Sequence, residues 1–241
     1  DFGQEYVLKQ PVKYGKELDA ALTEWATKTS NIPFIKESIS TSVHVHMNML
    51  NETWKTLGNY LTLYTLFENL LIRYSGPDRL SNLFCLPICD AEDTYRNIAQ
   101  LFKYVEAKNY KGIMFSEGTV KYAACNLAAL GMYGSVEHRS FRGVTDIDLI
   151  KKWIDILYAM LAYSRNQKLD PKQILLSWRD TKKDLLSNVF KGLTKELDFK
   201  DAEELIDKNL WYAQNIAYPI KDWDKLDVEA KIPEFKPKQK E

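Results

Sequence analysis

The chain has no long apolar run, only three histidines, few cysteines and no surplus of either charge. Each shortage excludes something. No apolar stretch approaches the roughly 20 residues of a membrane-spanning helix, and the first residues do not read as a signal peptide. A cytoplasmic protein without a membrane partner is therefore expected. Lys plus Arg (33) equals Asp plus Glu (33), so the basic excess that accompanies non-specific nucleic-acid binding is missing. Cys85, Cys89 and Cys125 are an odd number in a chain large enough to fold without cross-links, and they read as reduced thiols. "CLPIC" carries Cys85 and Cys89, but no second Cys or His pair follows and the neighbours are apolar. Both are expected to be small buried hydrophobes rather than metal ligands.

What is present is material for a core. The 241 residues are 45% hydrophobic and 12% aromatic, enough for one substantial core or at most two small ones. Periodicity predicts strands at 5–9, 42–49 and 134–141, and helices at 16–29, 51–74, 90–106, 145–164, 171–190 and 200–213. Asn51 is the expected N-cap of the second helix. Thr145 caps the helix that starts at "TDID", with Asp148 at the capping-box position. "EGTVKYAACNLAAL" is ambiguous between loop and strand. The first residue is Asp, and "DFGQEYVLKQP" opens as if in mid-domain, as though an N-terminal piece preceded it. Few strands and many long helices predict an α+β fold.

The scarce histidines are not scattered. In "SVHVHMNM" a period of two sends Ser42, His44, His46 and Asn48 to one strand face and Val43, Val45, Met47 and Met49 to the other. In "SVEHRSF" the same rule puts Ser135, Glu137, Arg139 and Phe141 on one face and Val136, His138 and Ser140 on the opposite one. A single Glu-x-Arg is either a plain ion pair or a metal ligand beside a phosphate clamp, since a guanidinium presents a planar fork to phosphate oxygens. Taken together, His44, His46, Glu137, Arg139 and Glu5 offer two imidazoles, two carboxylates and one fixed cation. That set suits Mg or Mn with a polyphosphate better than zinc.

"SVHVHMNM", then "LFENLLIRYSGPDRLSNLFCL", then "KYAACNLAALGMYGSVEHRSFRG" resemble, in that order, the amidoligase family. This is a carboxylate–amine ligase branch of the glutamine synthetase and glutamate–cysteine ligase superfamily. The resemblance covers residues 1–165. It implies an antiparallel, half-barrel-like sheet whose concave face binds ATP and divalent metal (Mg or Mn), with long helices packed on the convex face. It further implies Glu5, His44, His46 and Glu137 as metal ligands, with His44 also a candidate phosphate contact. Arg79 and Asn82 match a stretch that contacts phosphate or substrate, and Arg139 matches the clamp on the transferred phosphoryl group. Arg79 and Arg139 are thus the expected catalytic residues, and both join Asn82 in cofactor binding. The family's opening strand of paired acids has no counterpart in these residues, and Leu86-Pro87 stand where many relatives carry an arginine.

The implied activity joins a carboxylate substrate to an amine, of peptide or amino-acid type, through an acyl phosphate. A non-catalytic binding or assembly module on the same fold and a metal-dependent amide hydrolase are the alternatives. Residues 166–218 read as a helical C-terminal extension and 219–241 as an extended or partly disordered tail. Glu117 and His138 are the candidates for a general base.

Overall fold

A single helix sets the architecture. In the computed structural model, which describes residues 6–32, 37–38, 40–80, 82–109 and 122–230, α2 (Trp54–Ser75) is buried on nearly every side. Trp54, Leu57, Leu61, Tyr64, Glu68 and Leu71, which recur at helical spacing, are all buried, and Tyr60 and Phe67 are buried with them. A helix with apolar residues all round belongs inside a protein, and the other elements surround it. Thr53, not Asn51, caps it: the Thr53 hydroxyl accepts the Thr56 N–H.

The preceding elements are α1 (Lys16–Thr29) and β1 (Ser42–Asn48). After α2 come α3 (Glu92–Glu106), the two-residue strand β2 (Cys125–Asn126), α4 (Ala128–Tyr133) and β3 (Ser135–Arg142). Then follow α5 (Ile147–Ser164), α6 (Pro171–Asp180), α7 (Lys182–Val189), α8 (Ala202–Asp207) and α9 (Leu210–Ala217). Asp146 caps α5 in place of Thr145, accepting the N–H groups of Asp148 and Leu149. The helix expected at 171–190 breaks at Thr181, and the one at 200–213 breaks before Asn209.

The fold is α+β, with an open antiparallel sheet in the order β1-β3-β2. The third strand comes from the ambiguous "AACN" stretch. Residues 6–9, the described part of the strand expected at 5–9, are not strand, and Tyr6, Val7 and Leu8 are exposed. α2 packs on β3 and α5 on β1, burying Met47 and Val136 and half-burying Val43 and Val45.

One apolar cluster runs from Met47 and Val136 through α2 to Trp178, Phe190, Ile216 and Trp223. Residues 166–218 therefore share the core of the preceding segment. Part of the expected tail is also ordered: Trp223–Leu226 form a 3-10 turn, and the Trp223 ring lies against Gly58 of α2. A Cβ at Gly58 would meet that ring at 2.3 Å. Residues 231–241 lie outside the described part.

Candidate functional site

The two polar pairs meet across the β1–β3 ladder. His46 lies directly opposite Glu137, and Glu137 directly opposite Asn126 of β2. Residues opposed in this way share a face. Glu137 is the hub. Its Oε1 accepts from Arg139 Nη1 at 3.0 Å and from His44 Nδ1 at 3.1 Å, and His46 Nε2 stands 3.7 Å away. Its Oε2 accepts from Asn126 Nδ2 at 2.6 Å. Two serines hold the rings: Ser42 Oγ is 2.8 Å from His44 Nε2, and Ser135 Oγ is 3.0 Å from His46 Nδ1. Arg139 Nε donates to the Phe84 carbonyl at 3.3 Å.

Alternation does not hold through the whole of β3. Val45 faces His138, but Val43 faces Phe141, so three steps along β3 match two along β1. The extra residue is a β-bulge at Arg139 and Ser140 opposite His44, and a bulge re-aims whatever follows it. Phe141 therefore leaves the polar face, where simple alternation puts it, and stacks on Trp153 and Tyr74 in the core. Glu137, before the bulge, and Arg139, its first residue, stay with the histidines.

The electrostatics follow from the contacts. Burial pushes the Glu137 carboxyl up. The hydrogen bonds from His44 and Asn126 and the Arg139 charge outweigh it, and the group sits at about 2. Behind the sheet, His138 is fully buried, with Nε2 2.7 Å from the Tyr60 hydroxyl. Burial, then the neighbouring His46, lowers it to about 3, so it is a neutral core imidazole. Such a ring, shut behind the sheet, does not reach a substrate as a general base. Glu117 lies outside the described residues.

The other expected site residues separate. Arg79 is buried and spends its guanidinium on backbone: Nε on the Ser140 carbonyl and Nη2 on the Arg139 carbonyl, both at 2.9 Å, and Nη1 on Thr41 at 3.4 Å. It faces no solvent and is no phosphate contact in this arrangement. Asn82 accepts the Phe84 N–H in a local turn at 2.9 Å. Glu5 lies outside the described residues. Cys85 is buried, as its apolar neighbours predict, but Cys89 is exposed. Arg142 and Arg73 bind backbone carbonyls: Arg142 those of Tyr74 and Ser75 at the end of α2, Arg73 those of Asp198 and Lys200.

Asn126 is the site residue that sequence reading missed. Its signal is faint, a polar residue in a short apolar run, and only the pairing of β2 with β3 brings it to Glu137.

No family model, curated protein or solved structure matches this chain.

The described residues do not by themselves make a cage for the divalent ion that the amidoligase resemblance implies. No three His, Cys, Asp or Glu side chains among them are grouped to hold a metal. Glu137, the central acid, already carries a guanidinium on the oxygen that both imidazoles approach. What they do make is a carboxylate–guanidinium pair with a buried Glu137 and a half-buried Arg139. Among the described residues, Nη2 of Arg139 has no partner and is a donor for an incoming anion.

Proposed function

We propose that the chain is an ATP-dependent carboxylate–amine ligase, with the polar face of β1, β3 and β2 as the place where its anionic substrates meet. One observation carries the reading. Residues from motifs some 90 positions apart, His44 and His46 on one side and Glu137 and Arg139 on the other, lie on one face of one sheet. Their order along the chain is that of the resembled family.

A carboxylate at neutral pH is a poor electrophile. One of its oxygens must attack the γ-phosphorus of ATP, releasing ADP and leaving an acyl phosphate. The amine then attacks the carbonyl carbon, expels phosphate and loses a proton. The nucleotide and carboxylate together bring on the order of four to five negative charges that must be offset before they approach. Arg139 is the residue placed to do part of this. Glu137 and the Phe84 carbonyl fix its fork, so little reorganisation remains when charge moves. No step is assigned to the divalent ion, because the described donors do not accommodate it.

A second reading, a non-catalytic binding module on the same fold, draws on the self-neutralised Glu137–Arg139 pair and the lack of a three-ligand group among the described residues. ADP release in the presence of a panel of amino-acid and peptide carboxylates, with an amine and Mg, separates the two. A ligase releases ADP only when both substrates are present. Arg139→Ala should then lose about 3 kcal/mol of transition-state stabilisation, mostly in turnover. Arg139→Lys should not restore it, because a point charge cannot make paired contacts. Full turnover in Arg139→Ala refutes the clamp, and no ADP with any pair supports the binding module.

A further inference from the structure

We infer that Arg79 is a positioning residue: its buried guanidinium holds the Arg139–Ser140 bulge in place and thereby aims the Arg139 side chain at Glu137. A bulge leaves backbone groups outside the regular ladder. Buried carbonyls without a donor are costly, so something must satisfy them. Arg79 does so for both bulge residues at once, Nε on Ser140 O and Nη2 on Arg139 O, each at 2.9 Å. Its Nη1 reaches Thr41 O, just before β1.

The planar fork is what permits this. Three donors in one plane meet two carbonyls of β3 and one just before β1, which an ammonium on a flexible stem cannot reproduce. The guanidinium is itself rigidly delivered. Gly76 ends α2 and Pro77–Arg79 form a single 3-10 turn, with the Leu80 N–H returned to the Pro77 carbonyl. On the other strand edge, the Arg139 N–H donates to Ala124 O at 2.9 Å. Arg139 is thus held through its own N–H by the β2 side and through its carbonyl by Arg79. Only its side chain is left to reach the polar face.

The geometric part of this inference is independent of the ligase proposal; its effect on turnover rests on that proposal. The first measurement needs no variant. In the wild-type protein the Arg79 Nε–H should exchange with solvent far more slowly than that of an exposed arginine, as followed by nitrogen-edited NMR of the arginine side chains. Exchange at the exposed rate overturns the clamp.

The second measurement uses Arg79→Lys. Amide exchange at Arg139, Ser140 and Phe141 should rise by about tenfold or more, while amides in α2 and α5 stay within about twofold. Unchanged exchange at the bulge, or a uniform rise across the molecule, overturns the positioning role. The third arm is conditional on measurable ADP release. There Arg79→Lys should lower turnover with little change in KM, and should cost nothing further in an Arg139→Ala background. An equal loss in both backgrounds overturns action through Arg139. If no substrate pair gives ADP, the ligase proposal fails alone and the exchange results still decide the role of Arg79.

Discussion

Replacing Glu68 by Gln should remove a pH dependence of stability that one buried acid imposes. Glu68 lies in the middle of α2 with no solvent exposure to speak of, and its Oε2 accepts the Ile88 N–H at 2.6 Å. Burial raises its pKa from 4.5 to about 8, against the lowering effect of that one hydrogen bond. At neutral pH the folded protein therefore keeps a proton that the unfolded chain has released. The folded state binds more protons between pH 4.5 and 8, so stability falls as pH rises through that window and levels off above it.

One pKa unit corresponds to about 1.4 kcal/mol. Between pH 6 and 8, allowing for the approach to the folded pKa, Glu68 should cost the protein roughly 2 kcal/mol. Gln keeps the acceptor for Ile88 and the shape of the neutral acid but cannot ionise. Urea unfolding of both proteins at several pH values gives the difference directly, and subtraction cancels every other titrating group. The variant should gain on the wild type by that amount from pH 6 to 8. A difference that stays constant with pH would refute the assignment of a protonated Glu68 in the folded state.

Two further outcomes are expected. Gly58→Ala places a methyl 2.3 Å from the Trp223 ring. The gain of about 1 kcal/mol in helix propensity should be outweighed by overpacking of about 1–3 kcal/mol. Urea denaturation should show a net loss, and the same change in a Trp223→Leu background should be neutral or stabilising. A more stable Gly58→Ala in the native background would mean that the tail does not dock there. Glu137, with its pKa lowered to about 2, contributes stability above its unfolded value of 4.5 and loses it as pH falls through 2. The stability difference between wild type and Glu137→Gln should therefore shrink between pH 4.5 and 2 in acid titrations followed by circular dichroism. A gap that does not narrow would mean the His44, Asn126 and Arg139 contacts do not hold the carboxylate in solution. No described helix is long and apolar enough to cross a membrane.

The local periodicities alone determined the class of fold and most of the polar face. A period of two at 42–49 and near 137 put His44 with His46 and Glu137 with Arg139, because side-chain direction in a strand depends on counting along the chain, and the β1–β3 pairing then joined the two pairs. The 3.6 period identified the central helix for the same reason. Helix ends were less legible: Thr53 and Asp146 won the caps by backbone geometry that neighbouring Asn51 and Thr145 offered equally well on paper.

Tertiary structure decided what counting cannot reach. The bulge at Arg139 and Ser140 exists in the pairing of two strands, and it turned Phe141 into the core against the alternation. The donors that satisfy it come from Arg79, some 60 residues earlier, whose sequence signature is the same whether a guanidinium meets phosphate or backbone. Asn126 joined the site, and residues 6–9 stayed out of the sheet, through pairing alone. Hydrogen-bond partners distant along the chain leave no period to read, so these assignments rest on the packed structure.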